Sequence, residues 1–206
     1  MAELAAERGL RLVHLSTDLV FGARPPREGR YSEDDPPSPV HVYGASKAAG
    51  EEAVLAATSR ALVVRLPLLY GESFGRGLGA SDQLLAALAR GERPVLFRDE
   101  YRTPLEVSNA AAAVLELLAG EAHGRLHVAG PERLDRHALA SIVLAARGLV
   151  PATLAGQLRE GTRAEFGLAH LRPADVSLDA ARARARLATE LLTPAEALAR
   201  WSKTLA

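Results

Sequence analysis

Tyr43 and Lys47 stand four residues apart in the run Tyr43-Gly44-Ala45-Ser46-Lys47. On a helix that spacing puts a phenol and an ammonium on one face. The positive charge favours the phenolate, and an opposite charge within a few ångströms shifts a pKa by roughly 1–3 units. A phenol that starts near a pKa of about 10 then becomes a proton donor or acceptor useful near neutral pH. Lys47 and Lys203 are the two lysines among 25 basic residues; the others are arginine. Where charge alone suffices this chain uses arginine, so a lysine marks a task for a compact, multi-donor ammonium. Taken by itself, the pair is equally a half-buried tyrosine and a solvated lysine on an ordinary helix. Ser16-Thr17-Asp18, a polar triplet closing an apolar run, also has a bland reading as a strand-end turn tied by its own side chains.

The elements that must position these residues follow from hydrophobic pattern and punctuation. Residues 1–9 read as helical turns stopped at Gly9, and 11–21 as a strand carrying the Ser-Thr-Asp triplet near its end. Residues 22–39, rich in proline and glycine with the acidic run Glu33-Asp34-Asp35, predict a solvated surface loop. Ser38-Pro39 predicts a helix start, with Val42, Ala45, Ala49 and Ala53 as its buried stripe and an end near Arg60. Further strands are expected over 61–70, 94–97 and 124–129, and further helices over 81–90, 109–118 and from Asp135 to 147. Thr193-Pro194-Ala195-Glu196 is a capping box that opens a last helix. Strands alternating with helices predict an α/β fold with a mainly parallel sheet.

Composition narrows the function classes. The chain has 206 residues with 25 basic and 25 acidic, and this neutral balance argues against a nucleic-acid partner. With no cysteine there is no disulfide, zinc ribbon or thiol nucleophile, and a reducing cytoplasm is the default compartment. Apolar runs such as Ala110–Leu115 are too short to span a bilayer, so no membrane role is expected. The histidines at 14, 41, 123, 127, 137 and 170 show no metal-ligand spacing. Arg182, Arg184 and Arg186 alternate in an alanine-rich stretch and read as a solvated face rather than a phosphate contact.

Ser16-Thr17-Asp18-Leu19-Val20-Phe21, the loop Glu33–Pro39, and Tyr43-Gly44-Ala45-Ser46-Lys47 with Glu51 together resemble the extended short-chain dehydrogenases/reductases, in the dTDP-4-dehydrorhamnose reductase branch. Arg65-Leu66-Pro67-Leu68-Leu69-Tyr70-Gly71, Asp99 with Arg102-Thr103-Pro104, and His127-Val128-Ala129-Gly130-Pro131 extend the resemblance over nearly the whole chain. It implies the C-terminal part of a Rossmann-type doubly wound parallel sheet plus a small α/β substrate-binding subdomain. Residues 1–72 and 105–130 would form the Rossmann part, and 73–104 and 131–206 the subdomain. Thr17, Tyr43 and Lys47 would be catalytic: Thr17 bonding the substrate carbonyl, Tyr43 donating the proton, and Lys47 holding the nicotinamide ribose. Ser16, Tyr43, Lys47, Pro67, Leu68 and Leu69 would border the cofactor, NADPH or NADH. Asp18, Val20, Phe21 and Arg102 would contact a nucleotide-sugar substrate bearing a 4-keto group.

The departures are as informative. No acidic residue follows Val20-Phe21, and only about a dozen residues precede the Ser-Thr-Asp strand. The resemblance implies that on the order of a hundred residues, with the glycine-rich pyrophosphate turn, would normally come first. Gly75-Arg76-Gly77-Leu78-Gly79-Ala80 fits G-x-G-x-x-A, but it starts five residues past the expected strand end and reads better as a substrate-side loop. A chain lacking the cradle is expected to be weak or inactive alone. The competing expectation is a non-catalytic regulatory protein of the same fold, like the regulatory subunit of methionine adenosyltransferase. The strand Leu12–Leu15 should present an open apolar edge, which predicts homodimerisation or another association there.

Overall fold

The computed structural model describes residues 1–26, 29–72, 77, 79–149 and 156–204. Helix α1 (Ala2–Glu7) ends as expected at Gly9, whose φ of 62° suits glycine. Strands β1 (Val13–Thr17), β2 (Leu62–Leu66) and β7 (Gly124–His127) form a parallel sheet in the order β1-β2-β7. The central strand β2 shows no in–out alternation, and Leu62, Val63, Val64 and Arg65 are all fully buried. That is the signature of a parallel strand covered on both faces. Helices α2 (Val42–Ala57) and α4 (Val107–Ala119) belong to this layer. The α/β architecture with a parallel sheet is therefore the observed one.

Smaller pairs complete the fold. β3 (Leu69–Tyr70) runs parallel to β6 (Leu105–Glu106), β4 (Val95–Phe97) parallel to β9 (Arg159–Gly161), and β5 (Tyr101–Arg102) antiparallel to β8 (Leu134–Asp135). Helices α3 (Ala80–Ala89) and α5 (Arg136–Ala146) pack Leu84, Ala140 and Leu144 against Leu96 of β4. The single strand expected over 61–70 is two, because Pro67 has no N–H for the ladder and the chain turns there onto a new partner. A short helix α6 (Ala181–Arg184) precedes α7 (Pro194–Thr204), which opens with the expected capping box: Thr193 N donates to Glu196 Oε2 at 2.9 Å and Glu196 N donates to Thr193 Oγ1 at 3.2 Å.

Three expectations fail for physical reasons. Helix α2 does not start at Ser38-Pro39, since Ser38 N donates to Val20 O and Ala23 N donates to Ser38 O, tying that segment into a bridge. His41 caps the helix instead, its Nδ1 accepting from Gly44 N at 3.2 Å. The apolar stripe Val42, Ala45, Ala49 and Ala53 faces outward, and Val42 is 85% exposed. The inward face carries Gly44, where a Cβ would collide with the Leu19 carbonyl oxygen, and the fully buried Glu51. The acidic loop is also not merely solvated. Glu33 accepts from His127 N at 3.0 Å, Asp34 pairs with Arg182, and Asp35 accepts from Ser32 N at 2.8 Å.

Glu51 is buried because Arg65 meets it from the central strand. Arg65 Nη2 lies 2.7 Å and Nε 3.0 Å from its two carboxylate oxygens, and both side chains are fully enclosed. Burial opposes ionisation of Glu51, but the Arg65 hydrogen bonds and charge, the Ser16 hydroxyl and the Arg125 charge together outweigh it and hold the carboxyl below the usual range. Arg65 Nη1 also lies 3.2 Å from His127 Nε2. Burial and the Arg65 charge push His127 down to about 3, so it is neutral and its Nε2 lone pair accepts from Arg65. Removing one member of such a pair leaves an uncompensated buried charge. Glu51→Ala should therefore destabilise the protein by about 3–5 kcal/mol in urea unfolding, while Glu51→Leu with Arg65→Met should recover most of that loss. Equal stability of Glu51→Ala and wild type would contradict this account.

Candidate active site

Thr17 ends β1 and caps the short 3-10 turn Asp18–Val20, its Oγ1 accepting from Leu19 N at 3.2 Å. The same hydroxyl donates to Asp18 Oδ1 at 3.1 Å. Asp18 is 3% exposed, and its other oxygen has no hydrogen-bond partner among the described residues, with Arg102 Nε 3.5 Å away. Burial pushes the Asp18 carboxyl up to about 6, against the opposing pull of Arg102. The first turn of α2 presents Tyr43, which is 54% exposed. One helical turn on, Lys47 Nζ donates to the Leu15 carbonyl of β1 at 2.6 Å. This anchors the ammonium and leaves its other donors for a hydroxyl ligand.

A cleft of about 370 Å³ brings together Thr17, Asp18, Tyr43, Pro67, Leu68, Leu69 and Arg102. These come from β1, α2, the β2–β3 turn and β5. Ser16 does not border it, because its hydroxyl donates inward to Glu51. The expected substrate contacts Val20 and Phe21 need correction. Both are fully buried in the core, Phe21 stacked on Tyr31 at 4.1 Å and beneath the Arg65 guanidinium, so they support the turn from behind. Pro67 to Leu69 offer an apolar ledge in the same cleft as Tyr43, whereas Lys47 is not among the residues that line it. Gly75, Arg76 and Leu78 of the G-x-G-x-x-A segment lie outside the described residues.

Sequence spacing missed part of the wall. Glu100, Arg136, Arg172 and Gln83 also line the cleft. Burial opposes ionisation of Glu100, but Arg172 and Arg102 outweigh it and hold its carboxyl below the usual range. Arg172 Nη2 donates to Glu100 Oε1 at 2.9 Å across 72 residues of sequence, a separation that no local pattern announces. Arg136 was legible only as the first residue after the Asp135 cap. A larger groove of about 700 Å³ lies between α4 and β7, lined by residues such as Glu116, His123, Arg125 and Arg182, and none of the expected site residues borders it. Among the described residues no cluster of three metal-ligating side chains occurs. No described helix is long and apolar enough to cross a membrane.

The buried Asp18 has a consequence for folding. Its carboxyl titrates near 6 when folded, against 3.8 for the unperturbed group. Folding is therefore penalised above pH ~6, and the penalty fades as the pH falls from about 6 toward 4. Asp18→Asn should stabilise the protein at pH ~7.5 by on the order of 2–3 kcal/mol and give little gain at pH ~4, read by urea unfolding at both values. Identical stabilities at the higher pH would refute it.

The RmlD substrate binding domain matches residues 1–206. Over 211 aligned residues the chain is 35% identical to dTDP-4-dehydrorhamnose reductase of Mycobacterium tuberculosis (strain CDC 1551 / Oshkosh), an alignment that takes in 100% of this chain and 64% of that protein. Over 150 residues it is 31% identical to methionine adenosyltransferase 2 subunit beta of Rattus norvegicus, 69% of this chain and 44% of that one. It also superimposes on dTDP-4-dehydrorhamnose reductase of Bacillus anthracis str. Ames, solved in complex with NADP. The TM-score is 0.83 at 24% identity, over 98% of this chain and 69% of the other, which is a likeness of fold. With the match running from the first residue to the last, the chain belongs to the RmlD substrate-binding domain family.

Proposed function

We propose that the chain carries the catalytic and substrate-recognising residues of an NADPH- or NADH-dependent reductase acting on the 4-keto group of a nucleotide sugar, with 4-dehydrorhamnose linked to dTDP as the model substrate. The observation that carries this reading is the meeting of Thr17, Tyr43, Pro67–Leu69 and Arg102 on one cleft, with Lys47 anchored a helical turn from Tyr43. A reduced nicotinamide, when bound, supplies the hydride for the carbonyl carbon. Tyr43 gives its phenolic proton to the carbonyl oxygen, so the ketone becomes a secondary alcohol. Lys47 provides positive charge on the same helix face as the phenolate develops. Thr17 orients the carbonyl, and the apolar ledge of Pro67 to Leu69 sets the face that the nicotinamide ring presents. Arg102 and Arg172 supply the positive charge that a diphosphate requires.

A purely regulatory role is the alternative reading, and the meeting of Thr17 and Tyr43 on one cleft favours carbonyl reduction over it. The test is turnover of NADPH with the dTDP-linked 4-keto sugar, beside calorimetric binding of NADPH and NADH. Tyr43→Phe should reduce turnover by about 10²–10⁴-fold and leave sugar binding within a few-fold. Undiminished turnover in Tyr43→Phe would remove the proposed proton donor.

We also infer self-association along β1, which has a strand partner on one side only among the described residues and exposes Leu15 to 46%. An open edge with an apolar face is a template for another strand. Light scattering should show mass rising with concentration, and Leu15→Lys should suppress it; a concentration-independent monomer would rule it out.

A further inference from the structure

Thr17 has one hydrogen and two lone pairs, and the structure accounts for most of them. Leu19 N occupies one lone pair at 3.2 Å, and Asp18 Oδ1 lies 3.1 Å from the hydroxyl. An ionised carboxylate can only accept, so the Thr17 hydrogen must then point at Asp18. What remains for the cleft is a lone pair, which suits the O–H of an alcohol and repels a ketone oxygen. A protonated Asp18 reverses the bond: its own O–H donates to Thr17 Oγ1 and the Thr17 hydrogen is free to point at a carbonyl. Turning that hydrogen away while Asp18 is ionised strips a buried anion of its one hydrogen-bond donor from a side chain, which is unfavourable.

We propose that Asp18 is a positioning residue that sets the polarity of the Thr17 hydroxyl, so that the cleft accepts a ketone when Asp18 is protonated and an alcohol when it is ionised. The proposal rests on the reductase reading for its ligands, and on the Thr17–Asp18 geometry for everything else. Among the described residues the second carboxylate oxygen has no hydrogen-bond partner, Arg102 Nε standing 3.5 Å from it, so the anion is poorly stabilised in its buried position. The charged groups around it are Arg102 on β5, Glu100 just before that strand and Arg136 at the start of α5, with Arg172 held on Glu100 and Tyr43 of α2 bordering the same cleft. Burial, with Glu100, opposes the anion, while Arg102, the Thr17 hydroxyl, the Leu19 amide and Arg136 favour it, and the balance leaves Asp18 titrating near 6. Reduction turns an acceptor-only oxygen into a donor, so the same hydroxyl can greet substrate and product with opposite polarity.

Two measurements test this. The first is the Asp18 titration by carboxyl-carbon NMR of the free protein. Thr17→Val, which removes the donor to the anion, should raise the midpoint further, and Thr17→Ser should return it. A wild-type midpoint in the ordinary carboxylate range, or no change in Thr17→Val, overturns the proposal. The second is calorimetric binding of the dTDP-linked 4-keto sugar and its 4-hydroxy counterpart from pH ~5 to ~8, read as the ratio of their Kd values, which cancels titrations common to both. The ketone-to-alcohol Kd ratio should climb toward about tenfold per pH unit above the Asp18 midpoint in wild type and stay flat in Asp18→Asn. A flat wild-type ratio, or an unaltered slope in Asp18→Asn, overturns it. Binding of neither sugar instead counts against the reductase reading, and the Thr17 variants then decide the coupling alone.

Discussion

The buried pair of Arg65 and Glu51 is the constraint on which the arrangement of the cleft depends. Glu51 lies one helical turn after Lys47, Arg65 two residues before Pro67, and Ser16, which also donates to Glu51, directly before Thr17. One carboxylate therefore ties together the three segments that carry the candidate catalytic groups. His127 extends the tie to β7, its Nδ1 lying 3.2 Å from the Tyr31 and Asp179 carbonyl oxygens. Apolar packing would hold the same helix with less directional precision. Charge-assisted bonds, some bidentate, fix both separation and angle. Whether such a pair adds net stability against an apolar replacement is a separate matter, because its desolvation offsets much of the attraction.

The same pair explains why the polarity of α2 is inverted relative to its sequence. Its alanines and Val42 look inward on hydropathy alone, yet the sheet-facing side is built from Gly44, Ala48 and Glu51. Glycine permits close approach to the Leu19 carbonyl, and the carboxylate is buried because its partner arrives from a strand. Periodicity arguments weigh each residue by its own transfer energy and are blind to a partner 14 residues away. The acidic loop misled for the same reason: Glu33 is enclosed by the His127 amide and Arg182, both contributed by distant segments.

Legibility thus followed the range of the interactions involved. The helix stop at Gly9, the Asp135 cap and the Thr193–Glu196 box depend on neighbours within a few residues, and all three are present. The strand cores followed from long apolar runs, whereas the break at Pro67 required knowing that β3 changes partner. Tyr43, which borders the cleft, and Lys47, one helical turn on, stood out by spacing and by the rarity of lysine. Glu100 and Arg172 did not, since their pairing exists only in three dimensions. Val20 and Phe21 sit beside the polar triplet in sequence but turn into the core, Val20 from the end of the 3-10 turn and Phe21 from the extended residue that follows it.

The bond from Lys47 to the Leu15 carbonyl links two regions that otherwise look unrelated. Leu62 N donates to Leu12 O, and in a parallel ladder alternate residues face the neighbouring strand, so the Leu15 carbonyl faces away from β2. Lys47 therefore plugs a hydrogen-bonding position on the open side of the sheet. Any strand laid along β1 must either skip that position or evict the ammonium from it. A strand that brought its own amide to the Leu15 carbonyl would meet an oxygen already holding Lys47, so the open sheet edge and helix α2 are joined through one atom.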